Sequence, residues 1–190
     1  MPIENRYAYA VALGATIYNI HIDLADADRD VYESLDLRVA RHPSESEEYL
    51  LTRVLAYALE YTEGIAFSAG GLSDADAPAL TVRDMTGALQ SWIEIGSPDA
   101  ARVHRASKAS PRVAVYTYKD INRFVENLAG AQIHRAATLE VYAIDRALIA
   151  ALVARLDRRM AFTLTVGDRE LFLSFAADTL SGKIVRAPAI

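Results

Sequence analysis

Apolar and polar residues alternate with period two over two stretches near the start of the chain. Tyr18, Ile20, Ile22 and Leu24 are interleaved with Asn19, His21 and Asp23, and Val31, Leu35, Leu37 and Val39 resume the period beyond the polar stretch 26–29. Successive side chains on a strand point to opposite faces, so this pattern predicts a β-hairpin over about 14–40. The period then changes. Leu50, Leu51, Val54, Leu55 and Ala58 form one helical stripe that runs to about Tyr61 and stops at Gly64, and Ser44 followed by Glu47 reads as a capping box. A short strand is expected at 65–68, a loop over 70–76, and strands at 79–83 and 88–95 joined by the turn Asp84-Met85-Thr86-Gly87. Ser97-Pro98-Asp99 reads as a helix start, with serine as the cap, proline at the first helical position and an acid at the positive end; the helix should reach about Ala109. A Val- and Tyr-rich strand follows at 112–118.

The order over about 44–118 is therefore helix, three strands, helix, strand. Beyond it, 120–176 predicts an αβ extension: helix 120–128, strand 137–142, helix 145–156, and a hairpin of 160–166 with 170–175 around Gly167-Asp168. This is an α/β (α+β) chain with a mixed central sheet flanked by helices and additional hairpins at both ends. No repeat, linker or low-complexity tract divides it, so 1–190 reads as one domain.

Composition narrows the class. A chain of 190 residues, half of them apolar, buries roughly two thirds of its unfolded surface, enough for one core. The absence of cysteine excludes disulfides and zinc–thiolate sites, which fits a reducing, cytoplasmic setting. No apolar run approaches the ~20 residues that span a bilayer. The apolar stretch 7–15 continues into the strand pattern, which favours a strand over a secretory leader. A monomer is the simplest expectation.

The net charge of −5 argues against a non-specific nucleic-acid coat. Its distribution is uneven. From Arg41 to Asp99 there are ten acidic and three basic residues; from Ala101 to Arg123 there are six basic residues and one acidic. Two readings fit: a pair of solvated faces, or an acidic site beside a surface for an anionic ligand.

Hairpin geometry brings two of the acids together. A turn centred near residue 85 or 86 sets Glu94 opposite residue 76 or 77, so Asp76 neighbours Glu94. Opposed Cβ atoms lie ~5 Å apart. Carboxylates that close repel unless a cation lies between them, and Mg²⁺ or Mn²⁺ fits such oxygen ligands. On the first long helix Glu48 flanks the apolar stripe and is expected to face the pair, while Glu45 points farther out and Glu47 serves the capping box. The alternative is that Glu45, Glu47 and Glu48 only complement the helix dipole. Phosphodiester hydrolysis also needs a cation for developing charge. Gly96, two residues after Glu94, cannot supply it. Arg102 on the next helix is the better-placed cation, and Lys108 the one lysine there able to carry a proton. His21, His42, His104 and His134 lack metal-ligand spacing, and His42 reads as a structural hydrogen-bonder. There is no Gly-rich phosphate loop, and no haem or nucleotide cofactor is expected. Trp92 reads as a core residue; Tyr116 and Tyr118 could stack on bases, but tyrosines in a strand are more often packing residues.

Three blocks carry a resemblance. They are Ala40-Arg41-His42-Pro43-Ser44-Glu45…Glu48 with Arg53-Val54-Leu55-Ala56-Tyr57; Gly71-Leu72-Ser73…Asp76-Ala77-Pro78-Ala79-Leu80; and Trp92-Ile93-Glu94-Ile95-Gly96-Ser97-Pro98-Asp99…Arg102. With Ala15-Thr16-Ile17-Tyr18 and Asp28-Arg29, in order and spacing, they resemble the YaeQ family of bacterial proteins over most of 14–120. That family is similar in fold to the PD-(D/E)xK, or restriction-endonuclease-like, superfamily. The resemblance implies Asp76 as the metal-binding aspartate, Glu94 as the first acid of the E-x-K element, and Glu45 or Glu48 as the helix glutamate. Gly96 stands where the lysine belongs, which makes Arg102, Arg105 and Lys108 replacement candidates. Two functions follow as expectations: a metal-dependent nuclease acting on DNA or RNA, or a non-catalytic member that binds nucleic acid or protein.

Overall fold

In the computed structural model, residues 14–68 and 76–189 are described; most of the stretch 7–15 and of the loop 70–76 lies outside them. The hairpin is formed by β1 (Thr16–Asp26) and β2 (Val31–Arg41), paired from Thr16 with Arg41 to Asp26 with Val31. Ile20, Ile22 and Leu24 on β1 and Leu35, Leu37 and Val39 on β2 face inward as the alternation requires.

Helix α1 (Glu47–Leu59) starts later than the pattern predicts. Its cap is Ser46, whose Oγ accepts from the Tyr49 amide at 3.1 Å. Ser44 is still in a turn, closed by the Glu45 amide on the His42 carbonyl, and its Oγ lies 2.6 Å from His42 Nδ1. Glu47 therefore has no capping-box role; it meets Arg41 at 3.1 Å. Leu50 to Ala56, Ala58 and Leu59 are all buried, the mark of a helix enclosed on every side rather than lying on a surface.

The three strands that follow are β3 (Ile65–Phe67), β4 (Leu80–Arg83) and β5 (Leu89–Ile95), all antiparallel neighbours. Helix α2 (Ala100–Ala109) leads to β6 (Arg112–Thr117), and α3 (Ile121–Leu128) to β7 (Glu140–Ile144). Strands β5, β6 and β7 are parallel, joined by the two helices. The cap of α2 is Asp99 rather than Ser97, its Oδ1 accepting from the Arg102 amide at 2.7 Å. Helix α4 (Arg146–Val153), β8 (Arg159–Gly167), β9 (Glu170–Ser174) and β10 (Thr179–Arg186) complete the chain.

The hairpins predicted at the two ends are not separate additions. β1 pairs in parallel with β8, and all ten strands form one nearly closed, barrel-like sheet in the order β2-β1-β8-β9-β10-β7-β6-β5-β4-β3. β10 joins its halves, pairing with β9 through Lys183 and with β7 from Ile184. Helices α1 and α4 share the main core with Ile93, Ile95, Ala114 and Tyr116. Trp92, Val113 and Val115, of opposite parity on the same strands, pack with α2 and α3 in a second core around Val103, Ala106, Phe124 and Leu128. The parallel strands are thus covered on both faces, as buried parallel sheets are. No helix among the described residues is long and apolar enough to cross a membrane.

Candidate functional site

The register of β4 and β5 moves the expected carboxylate pair apart. Leu80 faces Ile93, and a bulge between Val82 and Arg83 adds to the offset of the turn. Continuing that pairing by one residue sets Ala79, not Asp76 or Ala77, across from Glu94. Asp76 lies before the strand begins, with its side chain 87% exposed. A bulge inserts one residue into one strand, and periodicity alone does not reveal it.

Glu94 is 2% exposed and sits on the α2 face of β5, between Ile93 and Ile95, which point to the α1 face. Its Oε1 accepts from Trp92 Nε1 at 2.6 Å and from Arg102 Nε at 2.8 Å. Burial pushes the carboxyl up from its ordinary value, and the bonds from Trp92 and Arg102 pull it back in part. Arg102 also donates through Nη2 to the Ala77 carbonyl at 2.7 Å, so one guanidinium ties the end of β5 to the approach to β4. One helical turn on, Arg105 Nη1 lies 3.9 Å from Asp76 Oδ1. Residues three apart on a helix share a face. Asp76 and Glu94 therefore meet the same helix, each beside its own arginine.

The helix glutamates lie elsewhere. Glu45, expected to point outward, is 3% exposed. It accepts from the His42 amide at 3.0 Å and from Arg53 Nη2 at 3.1 Å, and Arg53 also donates to the Ala40 carbonyl at 2.9 Å. Burial raises the Glu45 carboxyl against the pull of Arg53. The unit clamps the end of β2 to α1. Glu48 lies on α1, across the sheet from Glu94, and lines a cleft with Ser97, Tyr118, Lys119 and Arg146. Lys108 is exposed at the far end of α2. Among the described residues no three His, Asp or Glu side chains converge as a metal-holding group.

Gly96 adopts φ +87°, and its amide donates to the Tyr116 carbonyl at 2.8 Å. A Cβ there meets nothing closer than 3.9 Å, at the Tyr49 ring, so backbone conformation rather than space excludes a lysine. The strand ends in a left-handed residue that an L side chain tolerates poorly. Tyr49, partly buried beside this turn, has its hydroxyl pushed up to about 12 by desolvation and by the Glu94 charge.

One polar cluster was not anticipated. Arg112 donates to both oxygens of Glu60, at 2.7 and 2.9 Å, and to Glu140 at 2.6 Å; Tyr116 donates to Glu60 at 2.8 Å, and Tyr142 to Glu140 at 2.9 Å. The tyrosine rings stack at 5.0 Å. The hydrogen bonds from Arg112 to Glu60 and Glu140 raise its guanidinium further, although burial alone lowers it. An arginine opening a buried parallel strand was the one signal in the sequence, because such a residue needs partners.

Comparison with known proteins agrees with this architecture. A family model described as YaeQ protein matches residues 11–184. The YaeQ protein of Escherichia coli (strain K12), named uncharacterized, is 33% identical over 86% of this chain and 91% of its own length. The one from Salmonella typhi, also named uncharacterized, is 34% identical over 90% and 94%. The crystal structure of YaeQ protein from Xanthomonas axonopodis pv. citri superposes with a TM-score of 0.84 at 31% identity, covering 93% of this chain and 99% of that one. The one from Pseudomonas syringae gives 0.81 at 28%, covering 93% and 97%. The family model covers most of the chain, the relatives match it over nearly their whole length, and the chain belongs to the YaeQ family.

Proposed function

We propose that this chain is a non-catalytic, nucleic-acid-binding member of its family, built on a PD-(D/E)xK-like arrangement whose acidic corner is closed by arginines. The observation that carries this reading is the state of Glu94. The carboxylate that matches the first acid of the E-x-K element is buried, and its Oε1 is bonded to both Trp92 and Arg102. A hard divalent ion needs oxygen ligands at ~2.1 Å and keeps several waters, which this enclosed, arginine-bonded carboxylate does not suit. Glu45 is held by Arg53 and Glu48 faces another cleft, so the remaining candidate oxygens are dispersed. Lys108, Lys119 and Arg123 stay exposed in the basic run that follows the acidic segment. Lys119 and Arg123, past the carboxyl end of β6, attract phosphates there while the net negative charge disfavours indiscriminate coating.

Calorimetry tests the metal part of this reading. Mg²⁺ titrated into the wild type and into Asp76→Ala is expected to give no saturable heat, or heat that is equal in the two. A saturable signal in the wild type that Asp76→Ala abolishes overturns it.

A second reading, a metal-dependent nuclease with its cation moved to α2, is favoured by one observation. Arg102 and Arg105 reach Glu94 and Asp76 from the same helix face, where a relocated catalytic cation belongs. The same titration, followed by a cleavage assay on DNA and RNA, separates the two.

A further inference from the structure

The cleft that Glu48 lines lies at the carboxyl ends of β5 and β6, bounded by the start of α1, by α3 and by the start of α4. Its volume is about 590 Å³. In sheets of parallel strands, ligands bind in crevices outside the carboxyl ends, where helices leave to opposite faces. This crevice has that placement: α3 covers one face of the sheet, and α1 and α4 the other.

Three cations line it. Lys119 precedes the cap of α3, Arg123 lies in the first turn of α3, and Arg146 opens α4. They differ from the half of the described arginines that are ion-paired. Arg29, Arg41, Arg53, Arg102, Arg105, Arg112, Arg155 and Arg186 each stand within 4.0 Å of a carboxylate. Among the described residues, the side chains of Lys119, Arg123 and Arg146 have no ion-pair partner; Lys119 only lies 5.9 Å from the centre of the Tyr118 ring. Cations gathered around one concavity without a direct ion pair repel one another, and a bound anion relieves that repulsion.

The two acids of the wall are not equivalent. Asp120 is engaged, accepting from the amides of Asn122 and Arg123 at 2.9 and 3.1 Å. Glu48 has no side-chain partner among the described residues and is left as an acceptor for a hydroxyl or amine. Tyr118 offers an aromatic surface in the same wall. Cations for a phosphate, one free carboxylate for a hydroxyl or amine, and a ring to stack on are the three needs of a nucleotide. The size agrees: pockets of ~300–1,000 Å³ enclose single small molecules, and a duplex does not enter one.

We infer that this cleft binds the terminal phosphate and base of one nucleotide, with Lys119, Arg123 and Arg146 on the phosphate and Glu48 on a ribose hydroxyl or base amine. A free nucleotide and the phosphorylated end of a strand share that chemistry. The inference takes its ligand class from the nucleic-acid reading above but rests on the cleft residues, not on the Asp76–Glu94 corner. No Gly-rich loop is needed, because side-chain cations do the work that backbone amides do elsewhere.

The test is calorimetry with three probes: adenosine 5′-monophosphate, a short single strand bearing a 5′-phosphate, and the same strand without it. Each is titrated into the wild type, into Arg123→Ala/Arg146→Ala, and into Arg158→Ala as an exposed control outside the cleft. Circular dichroism verifies that each variant is folded. The expected result is binding of at least one phosphorylated probe, weakened at least about tenfold by the double substitution and unchanged by the control. Binding of the monophosphate identifies a free nucleotide as sufficient; binding of the phosphorylated strand alone identifies a strand end. A strand that binds equally with and without its phosphate, and equally to the double variant, overturns the cleft while leaving the nucleic-acid reading intact. Monophosphate binding that the double variant weakens, without any strand binding, supports the cleft and overturns the nucleic-acid reading. No binding by any probe overturns both.

Discussion

Gly64→Ala is expected to remove about 4 kcal/mol of stability, much of what a domain of this size has to lose. Gly64 ends the excursion after α1 at φ +84°, and a Cβ built there falls 1.8 Å from the Arg83 carbonyl oxygen. That oxygen cannot step aside cheaply, because the Arg83 amide donates to the Gly64 carbonyl at 3.0 Å and Ile65 pairs with Val82 in the next rung. The substitution therefore sums two costs: about 1 kcal/mol for placing an L residue in left-handed backbone, and the larger one of parting β3 from β4. Gly87→Ala isolates the first. Gly87 has φ +83° but nothing within 4 Å of its Cβ position, so about 1 kcal/mol is expected there. Urea unfolding of the two variants measures the difference. Equal losses contradict the steric argument.

Arg102→Ala has the second-largest expected effect, ~3 kcal/mol at neutral pH. It strips the buried Glu94 carboxylate of its guanidinium donor, leaves the Trp92 indole N–H in place and releases the Ala77 carbonyl. The pH dependence has a definite sign. The Glu94 carboxyl sits above its ordinary value in the fold, so its contribution to stability is full below the unfolded glutamate value and is lost as pH rises toward the raised one. Without Arg102 that upper limit moves farther up. The variant should thus recover part of its loss on acidification, before other carboxylates such as Glu140, lowered in the fold by Arg112, begin to be protonated. Adding Glu94→Gln to Arg102→Ala removes the stranded charge and should restore most of the stability. A double-mutant cycle that shows additivity refutes the coupling.

The parts of the fold legible in the sequence were those written in local periodicity. The alternation of Tyr18–Leu24 against Val31–Val39 gave the pairing of β1 with β2, and the stripe from Leu50 to Ala58 gave α1. What escaped was long-range or irregular. β10 has no fully buried residue, and Gly182, which packs its bare Cα beneath Leu148 and Asp145, interrupts its apolar pattern. The parallel pairing of β1 with β8 joins segments some 140 residues apart, and no local pattern encodes such a contact.

The candidate site shows the same division. Residue types around Glu94 were readable, and Arg102 was placed on the correct face of α2 by helix phase. The position of Asp76 depended on register, which the bulge after Val82 altered. Glu45 looked outward by phase because the cap was set two residues early, at Ser44 rather than Ser46. The Glu60–Arg112–Glu140 cluster joins residues 52 and 28 positions apart and leaves only an unexplained arginine in a Val-rich strand.

The proposed function requires this fold to bind nucleic acid without a metal ion. Fluorescence anisotropy of a labelled single-stranded oligonucleotide, titrated with the protein in EDTA and again in Mg²⁺, tests it most directly. Saturable binding with the same Kd in both buffers, and an intact probe at the end, is expected. Binding or cleavage that appears only with Mg²⁺, and disappears in Asp76→Ala, contradicts it.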